Sequence, residues 1–224
     1  MRRAGLLVAG VAAIAMTGIA SGAAQAQSYD FSFSGPGIWG SIVLSYGAAT
    51  DAKYPGGHEI TGISGTFNDT NNGLNIMNAP IDSLLTINHA TPDATNTLAT
   101  NDFSRYAVAS GLPAQSNGFI TYDNLFWPGG SEVVCNGYPF SGGFLDVYGL
   151  AFNIGNGQVV NFWSNGSMGP GAADYGASVV TAANALDYVG GGISTTTTPE
   201  PSSLALLGTG LVGLVGVVKR RAAA

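Results

Sequence analysis

Gly149-Leu150-Ala151-Phe152-Asn153-Ile154-Gly155-Asn156-Gly157-Gln158-Val159-Val160-Asn161-Phe162-Trp163 decides the fold class. Leu150, Phe152 and Ile154 recur at every second residue, the period of a strand with one face on a core. Gly155-Asn156-Gly157 then interrupts the apolar pattern, and its Asn-Gly pair reads as a hairpin turn into Val159 to Trp163. The same alternation recurs outward from this point. Tyr29, Phe31 and Phe33 share one face, Ile42, Leu44 and Tyr46 another, and Ile63 and Phe67 a third around Gly65. Further apolar runs occupy 81–87, 118–126 and 144–154. Gly accounts for 34 of 224 residues, which with Ser, Thr and Asn supplies turns between short strands. The pattern predicts an all-β, antiparallel sandwich, jelly-roll-like, over residues 27–189. Ala172 to Leu186 stays open between a short helix and a closing strand at Ser178 to Thr181, and 190–198 reads as a polar Gly/Thr linker.

Both ends of the chain read as targeting signals. Arg2 and Arg3, the apolar stretch Leu6 to Ile19 and Ala24-Gln25-Ala26 form a signal helix over 1–26, with a mature start at Gln27. At the other end Pro199-Glu200-Pro201 precedes an apolar run, Leu204 to Val218, and the basic stop Lys219-Arg220-Arg221. As a helix this run of about 15 residues is about 22 Å long, against a hydrocarbon core of about 30 Å. It forms a short transmembrane helix that spans with help from its flanks. The basic stop stays cytoplasmic, which places the preceding domain outside the inner membrane. A single domain of about 170 residues remains, long enough to bury a core.

The tail, with its three parts contiguous and in this order, resembles the PEP-CTERM sorting signal of Gram-negative bacteria over residues 199–221. That resemblance implies recognition by an exosortase and passage from an inner-membrane-anchored precursor to the cell surface or extracellular matrix. It also implies a setting of exopolysaccharide and biofilm. A plain single-span anchor is the alternative. The domain itself resembles the β-rich ectodomains found before such tails. The resemblance is carried by Tyr29 to Gly35, Ile60 to Thr66, Asp123-Asn124-Leu125-Phe126 and Gly149-Leu150-Ala151-Phe152.

Composition narrows the function. Outside the two signals only Lys53 and Arg105 are basic, which excludes nucleic acid and anionic lipid as partners of the domain. Exopolysaccharide, surface proteins and cations remain. Cys135 is the one cysteine, so the chain makes no internal disulfide. His58 and His89 are the only histidines, Glu59 and Glu132 the only glutamates before Pro199, and no nucleophile or metal motif occurs. The expectation is a non-enzymatic structural or glycan-associating protein with no required cofactor. The alternatives are a hydrolase of matrix glycan and an anchored surface protein with a protein partner. Asp69 and Asn71, in the oxygen-rich stretch Asn68 to Gly73, are candidate Ca²⁺ ligands, although the same residues make ordinary tight turns. Asp123-Asn124 has the same two readings. Among the aromatics Trp39 and Trp163 are expected in the core. Trp127, before Pro128-Gly129-Gly130, is the exposed candidate for stacking on sugar, with Tyr54 and Tyr138 also in Gly/Pro-rich stretches. Thr195 to Thr198, read as linker, is not taken as a flat Thr-rich face of the ice-binding kind.

Overall fold

The computed structural model describes residues 27–51, 54, 56–87, 104–109, 118–131, 142–166 and 173–198. The signal helix with Ala24 and Ala26 lies outside these residues. So do the tail with Pro199, Glu200, Pro201, Lys219, Arg220 and Arg221, and Lys53, His89, Glu132, Cys135 and Tyr138. Twelve strands follow in chain order: β1 (Gln27–Gly35), β2 (Ile38–Thr50), β3 (His58–Asp69), β4 (Ile76–Pro80), β5 (Ser83–Leu84), β6 (Ser104–Ala107), β7 (Phe119–Tyr122), β8 (Leu125–Phe126), β9 (Leu150–Asn153), β10 (Val159–Gly166), β11 (Asp174–Val180) and β12 (Ala185–Thr198). Among the described residues the only helical turn is 3₁₀, at Asn71–Gly73, and no helix is long and apolar enough to cross a membrane.

The fold is all-β and antiparallel. Instead of the two separate sheets expected of a sandwich, ten strands form one sheet. Nine run in the order β4-β3-β2-β1-β12-β11-β10-β9-β5, and β8 pairs with β3 to one side. A right-handed twist accumulated over so many strands curls the sheet. Two stretches then lace its ends together. The first leaves β4: the Ile81 amide donates to Gly65 O on β3, and Asp82 and Leu85 donate to Asn153 O and Ala151 O on β9. The second is Asp123-Asn124. The Asn124 carbonyl accepts from Ile60 N on β3, its side-chain oxygen accepts from Ala151 N on β9, and its amide donates to Leu85 O.

The inward faces follow the alternation. Phe31 and Phe33 of β1, Phe67 of β3, Phe126, Phe152 of β9, Phe162 of β10 and Tyr175 of β11 meet in one core. Ring centroids lie 5.2 Å apart for Phe33–Phe162 and 6.2 Å for Phe67–Phe152, so opposite limbs of the curl touch. Each buried aromatic or aliphatic side chain stabilises by about 1.5–3 kcal/mol. The hairpin between β9 and β10 forms as expected, with Val159 opposite Asn153. Gly155, Asn156 and Gly157 all sit at positive φ, 84°, 52° and 68°, which a β-branched residue would resist.

Two stretches differ from the sequence reading. Of the two readings left open for Ala172 to Leu186 the described residues take the strand: Asp174–Val180 is β11, longer than Ser178 to Thr181 and inside the sheet between β10 and β12. Residues 190–198 are not a linker. They are the second half of β12, paired with β1 from Asp30↔Thr198 to Ser34↔Ser194. Composition misleads here because Ile193 is the one large apolar residue of the segment, and it alone reaches the core fully. The two terminal strands therefore pair at the middle of the sheet. Gln27 and Thr198 leave the domain at the same end.

Candidate functional site

The outward faces of β2, β1 and β12 are built from what alternation leaves between the core residues. Ser28, Asp30, Ser32 and Ser34 face out from β1, Trp39, Ser41, Val43 and Ser45 from β2, and Ser194 and Thr196 from β12. The register aligns them in rows. Ser32 is opposite Ser41 on one side and Thr196 on the other, and Ser41 is in turn opposite Thr66 of β3. That row of four hydroxyls crosses three strand spacings, about 14 Å. Ser41 Oγ and Thr66 Oγ1 are 3.5 Å apart. In the next row Ser34 lies between Trp39 and Ser194. Asp30 is the one carboxylate among these outward residues.

Trp39 is 36 % exposed, which corrects its expected place in the core. Its backbone is fixed by the β2–β3 pairing, and its carbonyl accepts from Asn68 Nδ2 at 3.1 Å. Trp127 shows the opposite change: expected on the surface, it is 1 % exposed. Its amide donates to Phe144 O, a Cβ added at Gly57 would meet the indole at 3.1 Å, and Tyr54 stands beside it with centroids 6.2 Å apart. The Pro-Gly-Gly after it is a turn at the edge of the core, so the sequence signal belonged to the turn and not to the ring. Trp163 is 8 % exposed on the outer side of β10, stacked on the 38 % exposed Tyr188 at 5.6 Å. It lies over Gly176, where a Cβ would meet the indole.

The candidate calcium ligands Asp69 and Asn71 sit side by side in one hydrogen-bonded turn. Asp69 is fully buried at the end of β3, and its Oδ1 accepts from Asn71 N at 2.8 Å. Asn71 presents its amide nitrogen, not its oxygen, to Asp187 Oδ2 at 2.9 Å, and Asn72 Nδ2 donates to Asp187 Oδ1 at 2.7 Å. Burial, with help from the neighbouring Asp187, raises Asp69 to about 6. This loop is a carboxyl pair closed by amides.

A second carboxyl pair was not legible as one. Asp123 and Asp146 are 23 positions apart in the chain and only 4 % and 2 % exposed. Each Oδ1 caps its own turn. Asp123 accepts from Leu125 N, and Asp146 accepts from Tyr148 N and Gly149 N. The two loops are clasped by Gly149 O, which accepts from both Asp123 N and Asn124 N. Burial, chiefly, pushes both carboxyls up, Asp123 well above the usual carboxylate range. Asp123 also lines a cleft of about 820 Å³ between the β2–β3 edge and residues 84–87, with Asp51, Glu59 and Asn124 on its walls. The nitrogen Nδ1 of His58 lies 2.9 Å from Gly47 O, near the same edge. Among the described residues no three His, Cys, Asp or Glu side chains converge as a metal-holding group.

With this geometry in place, comparison with known proteins gives one positive result. Residues 197–221 match the PEP-CTERM protein-sorting motif. The match begins on the last two residues of β12, so the motif follows a core strand directly. Comparison with curated proteins and with solved structures returns no match. The motif marks an exported protein, made as a membrane-anchored precursor and sorted by an exosortase.

Proposed function

From that sorting motif as premise, we propose that the exported domain is a non-enzymatic, glycan-associating protein of the cell surface or extracellular matrix. Its glycan-contact face is the outer side of β2, β1 and β12. The observation that supports this reading is Trp39, half-exposed within rows of Ser and Thr hydroxyls. The apolar face of a pyranose packs on an indole, while its hydroxyls exchange hydrogen bonds with side-chain hydroxyls that water already solvates. A face with a single carboxylate suits a neutral polysaccharide better than a polyanion.

The test is co-sedimentation of the purified protein with the host's exopolysaccharide. Saturable binding that Trp39→Ala weakens severalfold supports the reading, and binding untouched by that change refutes it. An ice-recrystallisation assay serves as the control, because Ser194 and Thr196 lie on this face and not in a linker. Removal of 199–224 should abolish the surface location while leaving glycan binding intact, which separates sorting from recognition.

A second reading, a hydrolase of matrix glycan, draws on the cleft that gathers Glu59, Asp51 and Asp123. It requires release of reducing ends from the same polysaccharide, and loss of that release in Glu59→Gln.

A further inference from the structure

Asp123 and Asp146 pose a chemical problem. Gly149 O ties the Asp123 loop to the Asp146 loop, each carboxyl acts on the other, and both Oδ2 atoms are buried without a donor among the described residues. Two carboxylate oxygens are both acceptors, so they attract each other only through a proton or a cation between them. The basic side chains of the exported part are Lys53 and Arg105 alone. The charges acting on Asp123 are those of Asp146 and Asp51, both negative. Asp51 and Asp123 line the same cleft, which brings a third carboxylate to the wall in front of the pair.

We propose that Asp123 and Asp146 anchor a divalent-cation site behind the cleft wall that Asp123 forms, calcium by its all-oxygen donors. The two Oδ2 atoms supply the buried ligands. Backbone carbonyls and water complete the shell, since these two aspartates are not part of a larger carboxylate cluster. Calcium tolerates such an irregular shell, whereas magnesium demands an octahedron. The Oδ1 bonds to Leu125 N, Tyr148 N and Gly149 N hold both carboxylates in place before the ion arrives. The site would clamp loop 123–125 to loop 146–149, the lacing that closes the curled sheet. The Asp69–Asp187 pair is excluded from this role because the amides of Asn71 and Asn72 already occupy Asp187.

The experiment is a Ca²⁺ titration of the full chain in detergent near neutral pH, read by thermal unfolding and by calorimetry. One saturable site is expected, of the affinity of extracellular modules, about 10⁻⁴–10⁻³ M. It should raise Tm, respond weakly to Mg²⁺ and reverse on chelation. Asp123→Asn should fold, because its amide can donate to Asp146 as a protonated carboxyl would, and should lose the response at least tenfold. Asp69→Asn should keep it. Terbium luminescence of the wild type, displaced by Ca²⁺, reads the site without any variant. A wild type indifferent to both Ca²⁺ and Tb³⁺ overturns the proposal and leaves a shared proton between the two groups. A response lost in Asp69→Asn but kept in Asp123→Asn overturns it too.

Discussion

The curled sheet has two outer faces, and they are opposites. On β1, β2 and β12 the outward residues are mostly hydroxylated, and Ser28, Ser32, Ser34, Ser194 and Thr196 are exposed. On β9, β10 and β11 the outward residues Ala151, Val159 and Val180 are buried by Val108, Ile120 and Tyr122, carried on and beside the hairpin β6–β7. The inward faces of the two halves belong to one aromatic core. The difference is therefore made wholly by every second residue. Strands buried on one side alternate apolar with polar, and strands buried on both sides become runs such as Val159-Val160 and Val179-Val180. The hydroxylated half is the one that the proposed glycan contact would use. The half that is apolar on both faces is used up by folding.

The comparison breaks most severely at the middle of the sheet. A chain ending at Val189 loses the half of β12 that pairs with β1 and places Ile193 in the core. It should show no cooperative unfolding by circular dichroism. A chain ending at Thr198 should unfold as sharply as the whole exported domain. Next in size is a charge on each outer face. Val180→Asp puts an unpaired carboxylate under the hairpin and should cost at least about 3 kcal/mol in denaturant unfolding. Ser32→Asp, on the bare face, should stay within about 0.5 kcal/mol.

Much of this contrast was legible beforehand. The core faces of β1, β2 and β9 came straight from two-residue alternation, and the β9–β10 hairpin from Asn156-Gly157. The limits came where one residue decides. Within 190–198 Ile193 alone marks a core strand among Gly, Ser and Thr, and composition reads such a segment as a linker. Trp39 and Trp127 exchanged places because exposure of an aromatic depends on which face its strand presents. Trp39 sits at an outward position of β2, whereas Trp127 follows β8 into a turn packed on Gly57 and Tyr54. The pairing of Asp123 with Asp146 needs two loops brought together by Gly149, a long-range fact with no local signature.

Smaller effects sharpen the picture. Asp69 is held protonated up to about 6, above its unfolded value of 3.8. Between those values the folded state binds the extra proton, so stability falls as pH rises from about 4 to about 6. Denaturant unfolding across that range should show the decline, and Asp69→Asn should flatten its share of it. Trp39→Ala should change stability by less than about 1 kcal/mol, a value for a surface position, while weakening glycan binding severalfold. The reverse holds for Trp163→Ala, which strips the ring from over Gly176 and should cost more stability than binding.

The most direct test of the glycan face uses the three tryptophans, of which only Trp39 is substantially exposed. Acrylamide quenching of intrinsic fluorescence would be measured with and without the host's exopolysaccharide. The account predicts that the polysaccharide protects the quenchable fraction, and that Trp39→Phe removes both that fraction and its protection. Polysaccharide binding with Trp39 still fully open to acrylamide would contradict it.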